Sequence, residues 1–375
     1  MIIGYEAKRL YQNLSGLGNY SRNTLNILAR YFPENRYILF APQLSTLYSC
    51  PDCVSVITPG SRFSKKLRFI WRAYWIPKLL KNNHIDVFHG LSNGLPVGIE
   101  KTGVPSVFTV HDLIFMRFPG FYKKIDRMIY KFFMVRGCRT ATKIIAISQQ
   151  TKADLINLCG VDPKKIEVIY QSCNKLFYER VEETQKNIVR QKYALPDKFI
   201  LTVGTIEQRK NQLAILEGLV KEKLEIPLVI LGKPTEYKML FDDFIKENAI
   251  RKQIIFLHNT GTEELQTIYQ MAEIMVYPSF FEGFGLPVLE AQASGCPVIT
   301  SNISSMPEAG GEGALYIDPA NSAEIGSAIR KIMTDSKLKE ELIQKGTAHS
   351  MQFSDQLVAE KLMGLYKSLV QGHAS

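Results

Sequence analysis

The chain has 375 residues, of which 46% are apolar, 22% charged and 10% aromatic. Two domain-sized cores fit that length, and disordered, fibrous and mini-protein classes are excluded. The formal charge of +10 is uneven, with 26 Lys+Arg against 11 Asp+Glu up to residue 180 and 20 against 25 beyond it.

The first half is thus +15 and the second −5. Such asymmetry predicts an anionic partner for the first half: nucleic acid, a phospholipid surface or a phosphorylated substrate. No apolar run approaches the roughly 18 residues that span a bilayer, and Met1–Glu6 lacks the basic start of a signal peptide. A cytoplasmic chain, soluble or peripheral on the cytoplasmic face of the membrane, is expected. The six cysteines, Cys50, Cys53, Cys138, Cys159, Cys173 and Cys296, are scattered and expected as reduced thiols. Cys50-Pro-Asp-Cys53 lacks the second pair of a zinc set, so a surface turn is expected there.

In chain order, short apolar runs predict strands at Met1–Tyr5, Arg36–Ala41, Val54–Thr58, Val87–His89, Val104–Val110, Lys143–Ser148 and Ile166–Tyr170. A second set follows at Phe199–Gly204, Leu228–Gly232, Ile254–Leu257, Ile274–Tyr277, Val298–Thr300 and Ala314–Ile317. Amphipathic stretches between them predict βαβ units around parallel sheets. The polar stretch from Cys173 to Lys198 separates the sets, so the expected domains are 1–178 and 179–355. Residues 356–375 are expected as a helix crossing back to brace the first domain.

In open α/β sheets ligands bind beyond the carboxyl ends of the strands, so chemistry is sought in the loops that follow them. After the first strand comes Ser15-Gly16-Leu17-Gly18-Asn19-Tyr20, with a helical pattern expected from about Ser21. Two glycines there could let backbone N–H groups approach a phosphate, or could serve a plain tight turn. The strand Phe199–Gly204 runs into Thr205-Ile206-Glu207-Gln208-Arg209-Lys210-Asn211, where Arg and Lys together could neutralise a diphosphate or simply be a solvated pair. After Ile274–Tyr277, Glu282 sits in a glycine-rich loop, and Pro287 suits the first turn of a helix carrying Glu290. A carboxylate accepts two hydrogen bonds at once, which suits a vicinal diol of a sugar or a ribose. Equally, Glu290 could be a helix-face charge and Glu282 a dipole-compensating residue.

Glu282 to Glu290, enclosing Gly-Phe-Gly-Leu-Pro, resembles the paired-glutamate motif of retaining GT-B glycosyltransferases, a family that includes bacterial mannosyltransferases. Gly16-Leu17-Gly18-Asn19-Tyr20 is similar to that family's donor-side loop, Thr109-Val110-His111-Asp112 to its central histidine, and Gly204-Thr205 with Arg209-Lys210-Asn211 to its diphosphate site. Ala291 to Glu308 follows the same pattern. The resemblance implies a GT-B fold, two Rossmann-like domains with parallel sheets facing a central cleft. It implies that Glu290 holds the nucleotide ribose and that Glu282, Gly283 and the backbone of Phe284, Gly285 and Leu286 hold the donor sugar. Gly16, Gly18, Asn19 and Thr205 would contact the donor, Arg209 and Lys210 would stabilise the departing diphosphate, and His111 would shape the reacting face. Gln292 stands where the family usually has Met, and Phe280-Phe281 replaces an aliphatic-Tyr pair.

No Asp-x-Asp and no HxH or HExxH set occurs, so no metal is expected, and the loop cations would do a metal's work. The implied reaction moves a hexosyl group from a nucleotide-diphosphate sugar to a glycan or lipid-linked glycan with retention, in surface polysaccharide synthesis. Gly313-Ala314-Leu315-Tyr316-Ile317-Asp318-Pro319 resembles enzymes that use GDP-mannose. A sugar-nucleotide epimerase or hydrolase with His111-Asp112 as base is the alternative. Nucleic-acid binding would leave the two carboxylates idle, and a nicotinamide oxidoreductase would need the missing third glycine.

Membrane contact is expected at residues 62–81, where Phe63, Leu67, Ile70, Trp71, Tyr74 and Trp75 form one apolar helical stripe, with Lys65, Arg68, Phe69 and Arg72 off it. Residues 117–124, Arg-Phe-Pro-Gly-Phe-Tyr-Lys-Lys, have the same basic and aromatic character. The other possibility is that the stripe packs on the core.

Overall fold

Strands that are apolar on both faces must be covered on both faces, and parallel sheets flanked by helices meet that demand. A computed structural model of the chain describes residues 1–60, 68–92, 94–250 and 254–374. It contains two such sheets, and every strand pairing in them is parallel. The first comprises β1 (Ile2–Glu6), β2 (Arg36–Phe40), β3 (Val54–Ile57), β4 (Val87–Gly90), β5 (Ser106–Val110), β6 (Lys143–Ala146) and β7 (Ile166–Val168), in the order β3-β2-β1-β4-β5-β6-β7. The second comprises β8 (Ile200–Val203), β9 (Leu228–Leu231), β10 (Ile254–Leu257), β11 (Ile274–Tyr277), β12 (Val298–Ser301) and β13 (Ala314–Ile317), in the order β10-β9-β8-β11-β12-β13. Each strand coincides with a predicted run or is trimmed or shifted at its ends.

The strand order reverses between β1 and β4 in one sheet and between β8 and β11 in the other. At such a switch point the loops leave in opposite directions and open a crevice.

The chain divides into one unit of Met1–Gln171 with Asp355–Ser375 and another of Ser172–Ser354. The first boundary therefore falls before the expected 178/179. Residues 174–179 belong with the second unit because Gln266 Nε2 donates to the carbonyls of Leu176 (2.6 Å) and Glu179 (2.7 Å), and the Phe177 ring stands edge-on to Tyr269. The last helix, Asp355–Ala374, is part of the first unit: Val358, Leu362, Met363 and Tyr366 pack with Ile3, Tyr5 and Leu25. The opposite face of that sheet buries Phe40, Phe88 and Phe108 with Trp71, Leu80 and Met134.

All six cysteines are free thiols, and Cys50 Sγ lies 3.2 Å from Tyr11 Oη. Among the described residues no helix is long and apolar enough to cross a membrane.

The expected stripe at 62–81 is divided. Phe63, Lys65 and Leu67 lie outside the described residues, as does the Phe69 side chain. The described part is helical at Arg68–Ile70, π-helical at Trp71–Trp75 and α-helical again at Ile76–Asn82. The wider π turn changes the angular spacing of side chains, so Trp71 enters the core at 3% exposure while Tyr74 stays 55% exposed. Arg72 is not a free surface cation either, because its Nε lies 2.6 Å from Glu6 Oε1. In 117–124, Arg117 pairs with Asp154 at 2.5 Å, and Phe121, Lys123 and Lys124 remain exposed.

Candidate functional site

β8 and β11 are neighbours, with Ile200 opposite Ile274, so the two loops predicted to carry chemistry in the second unit start side by side. The first turns at Gly204, whose φ of 127° favours glycine and whose missing Cβ leaves room for the Lys210 chain 3.3 Å away. Gln212 Nε2 fixes the turn by donating to the carbonyls of Gly204 (3.2 Å) and Thr205 (3.0 Å). A short 3-10 turn, Gln208–Lys210, ends at the left-handed Asn211, whose Nδ2 is tied to the Pro319 carbonyl at 2.7 Å.

The second loop is laced to the first. Phe280 N donates to the Arg209 carbonyl (2.9 Å), and Arg209 Nη1 donates to the Phe281 carbonyl (2.6 Å). This brings Glu282 against both cations: Oε2 lies 2.8 Å from Arg209 Nη1, and Oε1 lies 2.6 Å from Lys210 Nζ. Tyr277, the last residue of β11, donates from Oη to Glu282 Oε1 at 3.2 Å and receives a hydrogen bond from Lys210 Nζ. Glu207 adds a second carboxylate on Arg209 Nη2 at 2.5 Å. Burial opposes ionisation of Glu282, but Lys210 and Arg209 overcome it and hold the carboxyl at about 2. Burial likewise works against charge on Arg209 and Lys210, and Glu282 more than offsets it.

Beyond Glu282 the chain passes through Gly283 and the buried Phe284 to Gly285. Gly285 has φ of 123°, a conformation that residues with side chains rarely adopt, and a Cβ there would stand 2.6 Å from Met306 Cε. It caps the helix Leu286–Ala293, with Pro287 in the first turn as predicted. Pro287 has no N–H to leave unpaired there, and Val288 N donates to the Gly285 carbonyl at 2.9 Å. Ser304 and Ser305 hold the loop: Ser305 Oγ donates to the carbonyls of Glu282 (2.9 Å) and Phe284 (2.7 Å).

Glu290, on that helix, differs sharply from Glu282. Its Oε2 accepts from Tyr269 Oη at 3.2 Å, and burial, only partly opposed by that bond, pushes the carboxyl up to about 7.

In the first unit the predicted phosphate loop takes another form. The helix begins at Gly16 rather than near Ser21 and runs to Tyr31, so both glycines lie in its first turn. Asn13 starts it, accepting at Oδ1 from Ser15 N (2.8 Å), Ser15 Oγ (2.6 Å) and Gly18 N (3.2 Å). A Cβ on Gly18 would fall 1.9 Å from the Asn13 carbonyl oxygen, so close packing requires that glycine, whereas Gly16 has open space around it. The Asn19 carboxamide is taken by Arg22 Nη2 at 2.6 Å.

His111 follows β5 and is buried. Its Nε2 lies 2.9 Å from the Leu91 carbonyl, and its ring stands edge-on to Tyr20 at 4.6 Å. A carbonyl only accepts, so Nε2 carries the proton and Nδ1 is left as an acceptor. Burial is the main cause that lowers its pKa to about 4. Beside it runs a buried chain that sequence reasoning missed: Tyr5 Oη donates to Tyr366 Oη (3.4 Å), which meets His89 Nδ1 (2.6 Å), and His89 Nε2 meets Thr109 Oγ1 (2.7 Å). Burial also lowers His89, to about 3. Tyr366 lies nearly 280 residues from His89, so no local signal announces the contact.

The family described as glycosyl transferases group 1 matches residues 184–349, and Glycosyltransferase Family 4 matches residues 18–174. The chain is 29% identical to O-antigen chain mannosyltransferase B of Escherichia coli over 293 residues, 76% of this chain and 74% of that one. It is 27% identical to O-antigen chain mannosyltransferase RfbU of Salmonella typhimurium over 284 residues, 75% of each. Among solved structures it is similar in fold to a glycosyltransferase from Rickettsia africae, with TM-score 0.77, 19% identity and 98% of each chain covered. HepE from Anabaena in complex with UDP-glucose gives TM-score 0.76 at 15% identity, covering 98% of this chain and 100% of that one.

Proposed function

Because the chain belongs to the group 1 glycosyltransferases of the GT-B fold, we propose that it moves a mannosyl group from GDP-mannose to a glycan or lipid-linked glycan acceptor, with retention and without a metal ion. The observation that carries this reading is the bridge from Glu282 to both Arg209 and Lys210 beyond the adjacent ends of β8 and β11. The bridge keeps two cations charged and aimed in the absence of ligand. A departing diphosphate gains negative charge in the transition state, and preorganised cations answer that charge without rearranging.

In this reading Arg209 and Lys210 take the diphosphate, Glu282 accepts from donor-sugar hydroxyls, and Glu290 accepts from the ribose diol. The backbone at Gly283–Leu286 adds donors, while Thr205, Gly16, Gly18 and Asn19 border the donor. His111, neutral and open at Nδ1, accepts a hydrogen bond at the reacting face rather than carrying a charge there. The mannosyl assignment is supported by the two O-antigen relatives, both described as mannosyltransferases. Peripheral contact with an anionic membrane is supported by exposed Phe121, Lys123 and Lys124 and by the apolar residues that follow them.

Thermal-shift screening with GDP-mannose, GDP-glucose, UDP-glucose and UDP-galactose, followed by NMR of the product formed from the stabilising donor, tests the proposal. GDP-mannose should raise Tm most, the new linkage should keep the donor's anomeric configuration, and EDTA should leave the rate unchanged. An inverted linkage in fresh product, or activity that returns only with added Mg²⁺, would overturn it.

A further inference from the structure

The switch point of the first sheet carries a second crevice that the donor site does not use. Between the loops after β1 and β4 lies an open cavity of about 180 Å³, lined by residues of the first unit. At its base Glu6 Oε1 pairs with Arg72 Nε at 2.6 Å and accepts from Lys8 N at 3.2 Å. Lys8 and Arg9 also line the cavity, and neither makes an ion pair among the described residues. Three cations thus face one carboxylate. Like charges crowded at a partly buried site are unfavourable until an anion joins them, and the Lys8 ammonium is accordingly held below its usual range by burial, then by Arg72 and Arg9.

The opposite wall is apolar. Ile129, Tyr130 and Phe133 come from the helix Lys124–Thr140, with Leu95 and Pro96 beside them. That wall does not stop at the cavity mouth: Ile125 is 72% exposed, Met128 70% and Phe132 61%, interleaved with Lys124, Arg127 and Lys131 on the same helix. His111, for its part, feels the charge of Arg9. The cavity therefore joins a cationic end near the buried histidine to an apolar wall that continues onto the surface.

We propose that this cavity binds the acceptor through a phosphate ester carried on an apolar stem, with the phosphate on Lys8, Arg9 and Arg72 and the stem along Ile129, Tyr130 and Phe133. A phosphate brings close to the two negative charges the cluster lacks, and an isoprenoid-like stem covers side chains that otherwise face water. The inference rests on the glycosyl-transfer reading only in calling the ligand an acceptor. A water-soluble sugar phosphate would supply the same anion without the stem.

The test measures equilibrium binding of farnesyl monophosphate, inorganic phosphate and farnesol to the full chain by calorimetry. Farnesyl monophosphate should bind at least tenfold more tightly than either of the others. Lys8→Gln combined with Arg9→Gln should weaken it tenfold or more, Arg9→Lys should retain most of it, and Ile129→Ser with Phe133→Ser should weaken farnesyl monophosphate without changing inorganic phosphate. Arg209→Gln, in the other unit, should leave all three unchanged while weakening GDP binding modestly. Equal affinity for farnesyl monophosphate and inorganic phosphate would overturn the stem, and unchanged binding in the Lys8/Arg9 variant would overturn the site. GDP binding and donor hydrolysis, followed in the same samples, separate the two readings. In the unsubstituted chain, absence of both with farnesyl monophosphate binding intact strikes the transferase assignment, and the converse strikes the acceptor cavity.

Discussion

In the second unit Arg209 and Lys210 each lie within 2.8 Å of a Glu282 oxygen, whereas in the first unit His89 and His111 meet hydroxyls and a backbone carbonyl. One region answers burial by pairing opposite charges; the other keeps its titratable groups neutral. Both satisfy the rule that an isolated buried charge is unfavourable, but they respond to pH in opposite ways. Charge held in pairs is ready for a phosphate whose own charge changes during reaction. Neutral imidazoles position a polar ligand without attracting water or counter-ions.

Acid should separate the two regions most strongly. His89 and His111, with folded pKa values of about 3 and about 4, stay neutral where the unfolded chain would protonate them near 6.5. The unfolded state then binds more protons, so stability is lost as pH falls from about 6.5 toward 4, on the order of 5 kcal/mol for the pair at pH 4.5. Glu282 stays ionised down to about 2 and its pairing survives that range. Hydrogen exchange at pH 4.5 should show amides of β4 and β5 exchanging before those of β8 and β11; simultaneous opening would break the contrast.

Removing a cation from the paired region comes next. Lys210→Ala and Arg209→Ala should each lower kcat by about 10² to 10³ with a smaller change in donor affinity, as expected when preorganised charge is lost from the transition state. Steady-state kinetics with KM and kcat resolved would check this, and a change confined to KM would make the cations mere donor anchors.

Glu282→Gln probes the other side of the pair. It leaves Arg209 with Glu207 and Lys210 without a carboxylate, which should cost about 3 kcal/mol of stability. Added GDP should then raise Tm more than in the native chain, because the diphosphate replaces the lost anion. A smaller GDP-induced rise would mean that the cations and the diphosphate do not meet.

The smallest expected effect belongs to Glu290. Its carboxyl keeps a proton up to about 7 when folded against 4.5 in the ordinary state, so stability falls as pH rises through that window. Glu290→Gln should therefore stabilise the chain by about 2 kcal/mol at pH 8 and by little at pH 4.5, while weakening GDP by about tenfold. Calorimetric titration between pH 5.5 and 8.5 should also show native GDP affinity rising with pH as Glu290 ionises. A flat profile would remove Glu290 from the ribose.

The thirteen strands among the described residues were legible in the sequence because a parallel strand buried on both faces is an apolar run of fixed length, a local property. The order of chemistry-bearing loops was legible for the same reason, since Arg209-Lys210 and Glu282 each follow such a run. So was the place of Pro287 in the first turn of the helix Leu286–Ala293, because turn chemistry depends on near neighbours. Where periodicity alone was used, it failed at the π turn around Trp71, which shifts side chains off the α-helical stripe.

What only the tertiary structure decided is which charges meet. The sequence placed Glu282 in a loop and Glu290 on a helix without fixing the charge of either, but Arg209 and Lys210, more than 70 residues away, hold one carboxyl at about 2 while burial raises the other to about 7. The start of the helix at Gly16 was set by Asn13 reaching forward to Gly18, and the state of His89 by Tyr366 on the last helix. Apolar runs, turns and caps are settled by residues a few positions apart, whereas the ionisation of a buried group depends on the partners that folding brings to it.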